Sequence, residues 1–162
     1  FAGGCFWGTQ HYFKQIYGVI ETATGYANGK TENPIYEEVY TDITGFAETV
    51  KVVYDSNRID LELLVELFFK SIDPLSLNRQ GNDVGTRYRT GIYYSDNDDL
   101  QTIKAVYEKV AAEYGSDLCV ELEPLLNFYM AEEYHQDYLD KNPNGYCHLP
   151  TTLFDFARKV NK

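Results

Sequence analysis

Positive charge is what this sequence most lacks: 14 Lys and Arg stand against 25 Asp and Glu, a formal net charge of −11. Nucleic-acid binders concentrate basic side chains to displace phosphate counterions, and membrane-surface modules do the same for anionic lipid. Neither class of partner fits. Long hydrophobic runs are missing as well, with nothing near the roughly 18 apolar residues that span a bilayer. No repeat at a solenoid period and no low-complexity stretch interrupts the chain. Cysteine is sparse and odd in number (Cys5, Cys119, Cys147), which leaves a thiol free for chemistry or burial and rules out a disulfide scaffold.

Apolar and aromatic side chains are plentiful: 44% of the residues are hydrophobic and 15% aromatic, Tyr alone numbering 15. That is too rich for a disordered chain. A length of 162 residues suits one domain able to bury about two-thirds of its unfolded surface. The chain starts at Phe1, and a cytoplasmic location is the default expectation.

Periodicity orders the elements. Gly3-Gly4 lead into a short helix beginning at Cys5 and running to Tyr17. Val19 to Tyr26 reads as a strand, Asn33-Pro34 opens a helical turn to Val39, and Glu48, Val50, Val52 and Tyr54 share one face of a second strand. Asp60 caps an apolar helix over 61–72. A polar loop over 73–86, about 14 residues, is long enough to suggest a function. A strand over 88–94, a helix over 96–114, a strand over 118–122 and a helix over 131–140 follow. Asn142-Pro143-Asn144-Gly145 then turn the chain before Tyr146-Cys147-His148. The pattern predicts an α+β fold with a single mixed sheet and helices packed on it.

Cys5 is the first candidate for chemistry. At a helix N-terminus a cysteine meets free N–H groups and the positive end of the dipole, which favours thiolate. The flanking glycines let the thiol be presented, and Phe6 and Trp7 beside it would make an apolar wall for a group as small as a methyl. Cysteine is also among the most often buried residue types, so position alone leaves inert burial open. Glu48 faces the same way as Val50 and Val52, apolar surroundings suited to raising its pKa, although an acid at a strand edge is usually just solvated, so the residues alone leave both readings open.

The sequence Gly4-Cys5-Phe6-Trp7-Gly8 is the GCFWG signature of the A-type peptide methionine sulfoxide reductases, and further blocks follow in the family's order. Gly25-Tyr26-Ala27-Asn28-Gly29 is similar to GYxGG, Asn33 to Val39 to NPTYEEV, and Thr44-Gly45-Phe46-Ala47-Glu48 to TGHAE. Gln80 to Arg89 matches QGNDxGxxYR, and Glu133 to Tyr138 matches EYHQxY. The resemblance covers about residues 1–150, expected to be the catalytic domain, with 151–162 a terminal helix or the start of a linker. Phe46 departs from the family's usual His.

The resemblance implies a ferredoxin-like α/β sandwich and reduction of the S epimer of methionine sulfoxide, free or in proteins. It implies Cys5 as the nucleophile on the sulfoxide sulfur and Glu48 as the acid that protonates the oxygen. Tyr36 and Tyr88 would donate hydrogen bonds to that oxygen, Asp83 would orient the site, and Phe6 and Trp7 would hold the methyl. A sulfenic acid on Cys5 would condense with Cys147, the disulfide then being reduced by thioredoxin or a similar dithiol protein. No cofactor or metal is expected, and the chain is expected to act as a monomer. Cys119, within a predicted strand, reads as a buried structural thiol.

Three other readings use the same residues. Glu132 and His135 have the Glu-x-x-His spacing of di-iron helices, but the motif occurs once where such sites need it twice. Cys5 with His11, His135 or His148 would make a Cys–His hydrolase or transferase, for which the spacing selects no histidine. A non-catalytic domain using the Phe6-Trp7 wall for recognition would bind methionine-containing peptides without turnover.

Overall fold

A pair of reciprocal backbone hydrogen bonds, Phe1 N to Val50 O at 2.9 Å and Val50 N to Phe1 O at 2.8 Å, joins two three-stranded sheets edge to edge. The computed structural model describes residues 1–162. Its elements run β1 (Ala2–Gly3), α1 (Phe6–Lys14), β2 (Val19–Ala27), α2 (Tyr36–Tyr40), β3 (Ala47–Tyr54) and α3 (Leu61–Lys70). They continue β4 (Arg79–Gln80), β5 (Asp83–Val84), β6 (Thr90–Tyr94), α4 (Asn97–Tyr114), β7 (Val120–Pro124), β8 (Phe128–Met130), α5 (Tyr138–Lys141) and α6 (Thr151–Lys159).

One sheet has the order β1-β6-β7 and the other β3-β2-β8. All pairings are antiparallel except β6 with β7. Parallel neighbours need a long crossover, and α4 supplies it. The Phe1–Val50 join makes the two halves one mixed sheet, and the α+β expectation holds. Local sequence sets the helix ends: the Asp60 side chain accepts from Leu63 N at 2.8 Å, Asp96 accepts from Asp98 N at 2.9 Å, and Gly115 closes α4 in the left-handed region at φ 63°.

The main core lies among α1, α3, α4 and α6 and the sheet. Tyr12, Phe13, Leu64, Phe68, Ile103, Val106, Phe154 and Ala157 meet there. Tyr12 satisfies its buried hydroxyl on Leu67 O at 2.7 Å. A smaller cluster of Phe6, Tyr26, Val39, Phe46, Val50 and Ala131 lies beside the first turn of α1. The segment from Thr151 is a helix with Phe154 and Ala157 buried.

Several expected boundaries move. The helix expected over 131–140 is a 3-10 turn, Glu133–His135, followed by α5, with Asp137 between them at φ 54°. The Gln136 amide is drawn into β2, accepting from Thr24 N and donating to Thr24 O, both at 2.9 Å. Asp137 N donates to Gln10 Oε1 at 2.9 Å. Tertiary partners thus satisfy polar groups that a continuous helix would have used. The loop over 73–86 contains the β4–β5 hairpin, and Tyr88 ends a 3-10 turn, Thr86–Tyr88, ahead of β6 rather than starting a strand. Cys119 precedes β7 and is half-buried, not a buried strand thiol; its N–H donates to Pro74 O at 2.7 Å.

Candidate active site

Gly4 turns the chain at φ +90° into α1, where any Cβ would lie 2.7 Å from Gln80 Cβ. Cys5 follows in the capping position, 6% exposed. Its thiol opens on a cavity of about 70 Å³ lined by Cys5, Phe6, Trp7, Tyr36, Glu48, Asp83, Tyr88, His135 and Tyr146. Seven of the eight residues singled out from the sequence therefore converge on one space, although they come from five separate parts of the chain. Cys147, the eighth, lines a separate, wider groove with His11, Asp140 and Arg158.

Glu48 lines the same cavity, 2% exposed, and its Oε1 accepts from Phe6 N at 3.1 Å. Burial pushes its carboxyl up to about 8, against the Phe6 N–H and the Arg87 charge, which favour the anion. The acid is mostly protonated at neutral pH. Burial, and after it the Glu48 charge, also push the Cys5 thiol well above its ordinary value. This corrects the expectation that the helix start holds Cys5 as thiolate: lost hydration and an adjacent carboxyl outweigh the dipole.

Two tyrosines reach the same space. Tyr36 begins α2 and is fixed by Glu132, whose Oε2 accepts from Tyr36 N at 2.9 Å while Oε1 accepts from Tyr26 Oη at 2.8 Å. Burial, then Glu48, raise the Tyr36 hydroxyl to about 12, so it remains a hydrogen donor across the physiological range. Tyr88 is raised by the same two causes. The Arg87 guanidinium lies 4.5 Å from the Tyr88 ring and 4.3 Å from that of Tyr40, paired with Asp42 at 2.6 Å. Asp83, from the β4–β5 hairpin, accepts from Tyr146 Oη at 2.9 Å.

The apolar wall is rigid. Trp7 stacks on Tyr138 with centroids 3.6 Å apart and planes at 9°, and its Nε1 donates to His135 Nδ1 at 3.0 Å. Indole can only donate, so the His135 proton belongs on Nε2, which is buried and unpartnered. Burial lowers the His135 pKa, keeping the ring neutral.

The rival constellations are not assembled. Glu132 is committed to Tyr26 and Tyr36, and no group of three His, Cys, Asp or Glu side chains is placed to hold a metal. His11 faces Asp140 at 3.4 Å, His135 meets Trp7, and His148 meets Gly3 O at 3.0 Å, so each histidine has a partner other than Cys5. Sequence reasoning assigned Tyr146, Tyr138 and Arg87 no role. Their signal was adjacency in the chain: Tyr146 precedes Cys147, Arg87 precedes Tyr88, and Tyr138 ends the EYHQxY block.

An α+β sheet that brings a helix-start thiol and a buried carboxyl to one small aromatic-walled cavity has the layout of an enzyme site. The family described as peptide methionine sulfoxide reductase matches residues 1–161. The chain belongs to that family. It is 55% identical over 153 residues to the peptide methionine sulfoxide reductase MsrA of Clostridium acetobutylicum, covering 94% of each chain. Among solved structures it resembles the reduced form of Mxr1 from Saccharomyces cerevisiae, with TM-score 0.86 and 40% identity over 93% of this chain and 87% of that one. It also resembles Mxr1 in complex with Trx2, with TM-score 0.59 and 27% identity over 85% and 80%. No helix is long and apolar enough to cross a membrane.

Proposed function

We propose that the chain reduces the S epimer of methionine sulfoxide, free or in proteins, to methionine, with Cys5 as nucleophile. The convergence of Cys5, neutral Glu48, Tyr36 and Tyr88 on a cavity sized for a methyl sulfoxide carries this reading. Phe6 and Trp7 hold the methyl. The sulfoxide oxygen accepts hydrogen bonds from Tyr36 and Tyr88 and a proton from Glu48, which makes the sulfur electrophilic. Cys5 sulfur bonds to it, and the proton that Cys5 gives up replaces the one Glu48 donated. Asp83 orients the site through Tyr146. The oxygen ends on Cys5 as sulfenic acid, and methionine leaves.

Cys147 then closes a disulfide with Cys5, releasing water. Thioredoxin or a similar dithiol protein reduces it, a reading supported by the solved complex of the yeast relative with Trx2 and by the open groove on Cys147. The reaction needs no cofactor, and we place it in a cytoplasmic monomer.

The test is a single-turnover thiol count. Reduced protein is mixed with the S epimer and no external reductant, with the R epimer and Cys5→Ser as controls. The expected result is a fall from three thiols to one, with methionine formed from the S epimer alone. No methionine and no thiol loss would overturn the proposal.

A further inference from the structure

His148 lines neither the Cys5 cavity nor the Cys147 groove, yet it packs against both glycines that flank Cys5. A Cβ at Gly4 would lie 3.2 Å from its Nε2, and one at Gly8 would lie 2.9 Å from its Nδ1. Nε2 is 3.0 Å from Gly3 O. A carbonyl only accepts, so Nε2 carries the hydrogen and Nδ1 is a bare lone pair. That Nδ1 is buried and has no partner. A buried acceptor left open is costly, and such atoms ask for a reason.

The reason lies over the first turn of α1. The point a Gly8 Cβ would occupy is 2.9 Å from His148 Nδ1 and 3.0 Å from Cys147 Sγ. The missing side chain leaves the base and the thiol bordering one small space. Burial pushes the Cys147 thiol above its ordinary value, and the Leu149 N–H, which donates to Sγ at 3.4 Å, only partly offsets this, so the thiol needs a base. Nδ1 borders the thiol without a hydrogen bond to it, so the proton transfer requires the two to close on each other or a water between them, while the Leu149 N–H faces the charge that remains. Burial keeps the ring neutral, and Asp83 and Cys147 are the titratable groups facing it.

We propose that His148 is the general base of the resolving step, a role that rests on the reductase reading above. The Cys147 proton passes to His148 Nδ1. The thiolate sulfur then bonds to Cys5 sulfur as the S–O bond of the sulfenic acid breaks. The oxygen takes its electron pair and the proton held on the imidazole. Cys5–SOH and Cys147–SH become one disulfide and one water.

His148→Gln tests this, since its amide nitrogen can still donate to Gly3 O but offers no base. In single turnover with the S epimer, methionine is followed by chromatography, sulfenic acid by dimedone trapping and disulfide by thiol titration. The expected result is an unchanged methionine burst, trapped sulfenic acid, and disulfide formation slowed about 100-fold, the lower range for loss of a general base. Raising the pH, which makes thiolate without a base, restores the rate. Disulfide formation at the wild-type rate, or equal slowing of both steps, overturns the role. If the variant does not fold, the wild-type disulfide rate across acid pH decides. A fall as one group below the ordinary histidine value protonates supports the role; a flat profile overturns it. Absence of methionine from the wild type would overturn the reductase reading and this role with it, so the two failures are distinguishable.

Discussion

The backbone N–H of Phe6 donates to the Glu48 carboxyl at 3.1 Å, across 42 positions of sequence. This bond ties the first turn of α1 to β3 and holds the acid in the cavity that the preceding residue, Cys5, also lines. It also gives Glu48 one fixed partner in a site that otherwise denies it water.

In the proposed mechanism the methionine-forming step depends on that carboxyl being protonated. Its pKa near 8 means that the wild-type single-turnover rate falls as pH rises through about 8, because the proton donor is lost. Glu48→Gln cannot donate a proton and loses about 100-fold or more, together with this alkaline limb. Rates that stay level through pH 8 would contradict the assignment.

Stability falls along the same pH course as the rate. Glu48 has a folded pKa above its unfolded value of 4.5, so the folded state binds its proton more tightly. That advantage is complete below 4.5 and is lost as pH rises toward 8. At pH 7 the unfolded chain is ionised while the folded site is not, which costs roughly 3 kcal/mol. Glu48→Gln removes this cost. Its unfolding midpoint in denaturant should exceed wild type at pH 7, and the gap should close by pH 4.

Trp7→Phe keeps an aromatic face against Tyr138 but removes the indole donor to His135 Nδ1. A buried acceptor is left open, at about 1–3 kcal/mol. A lower thermal midpoint and a raised KM for methionine sulfoxide are expected. An unchanged midpoint would show that the Trp7–His135 bond contributes little.

The three cysteines should separate cleanly. Cys119 lines neither opening, so Cys119→Ser leaves the methionine yield unchanged and lowers the starting thiol count by one. Cys147→Ser still forms methionine but stops at sulfenic acid, which dimedone traps. Loss of turnover in Cys119→Ser would move the resolving role.

Helices α3 and α4 were legible because an Asp cap and a regular apolar period coincide there, and the strand around Glu48 because its apolar residues alternate. The 131–140 segment was not. Its helical pattern gives way to reciprocal hydrogen bonds between the Gln136 side chain and Thr24 and one from Asp137 N to Gln10, which local periodicity does not encode. At the site, Cys5, Phe6 and Trp7 could be read from neighbouring letters. The placing of Tyr36, Tyr88 and Asp83 around Glu48 required the folded sheet and, before that, a family resemblance. The raised Cys5 thiol was not legible because sequence shows a helix start but not which of exposure and burial wins, nor the Glu48 carboxyl that shares the cavity.

A cavity of about 70 Å³ takes in little more than a carbon, a sulfur and an oxygen. At a ceiling near 1.5 kcal/mol per atom, such a handhold yields a dissociation constant on the order of a millimolar. Whatever carries the oxidised methionine remains outside and is largely unread. A handhold of that size predicts that the residues around an oxidised methionine matter little, read as similar kcat/KM for peptides that differ only in those neighbours.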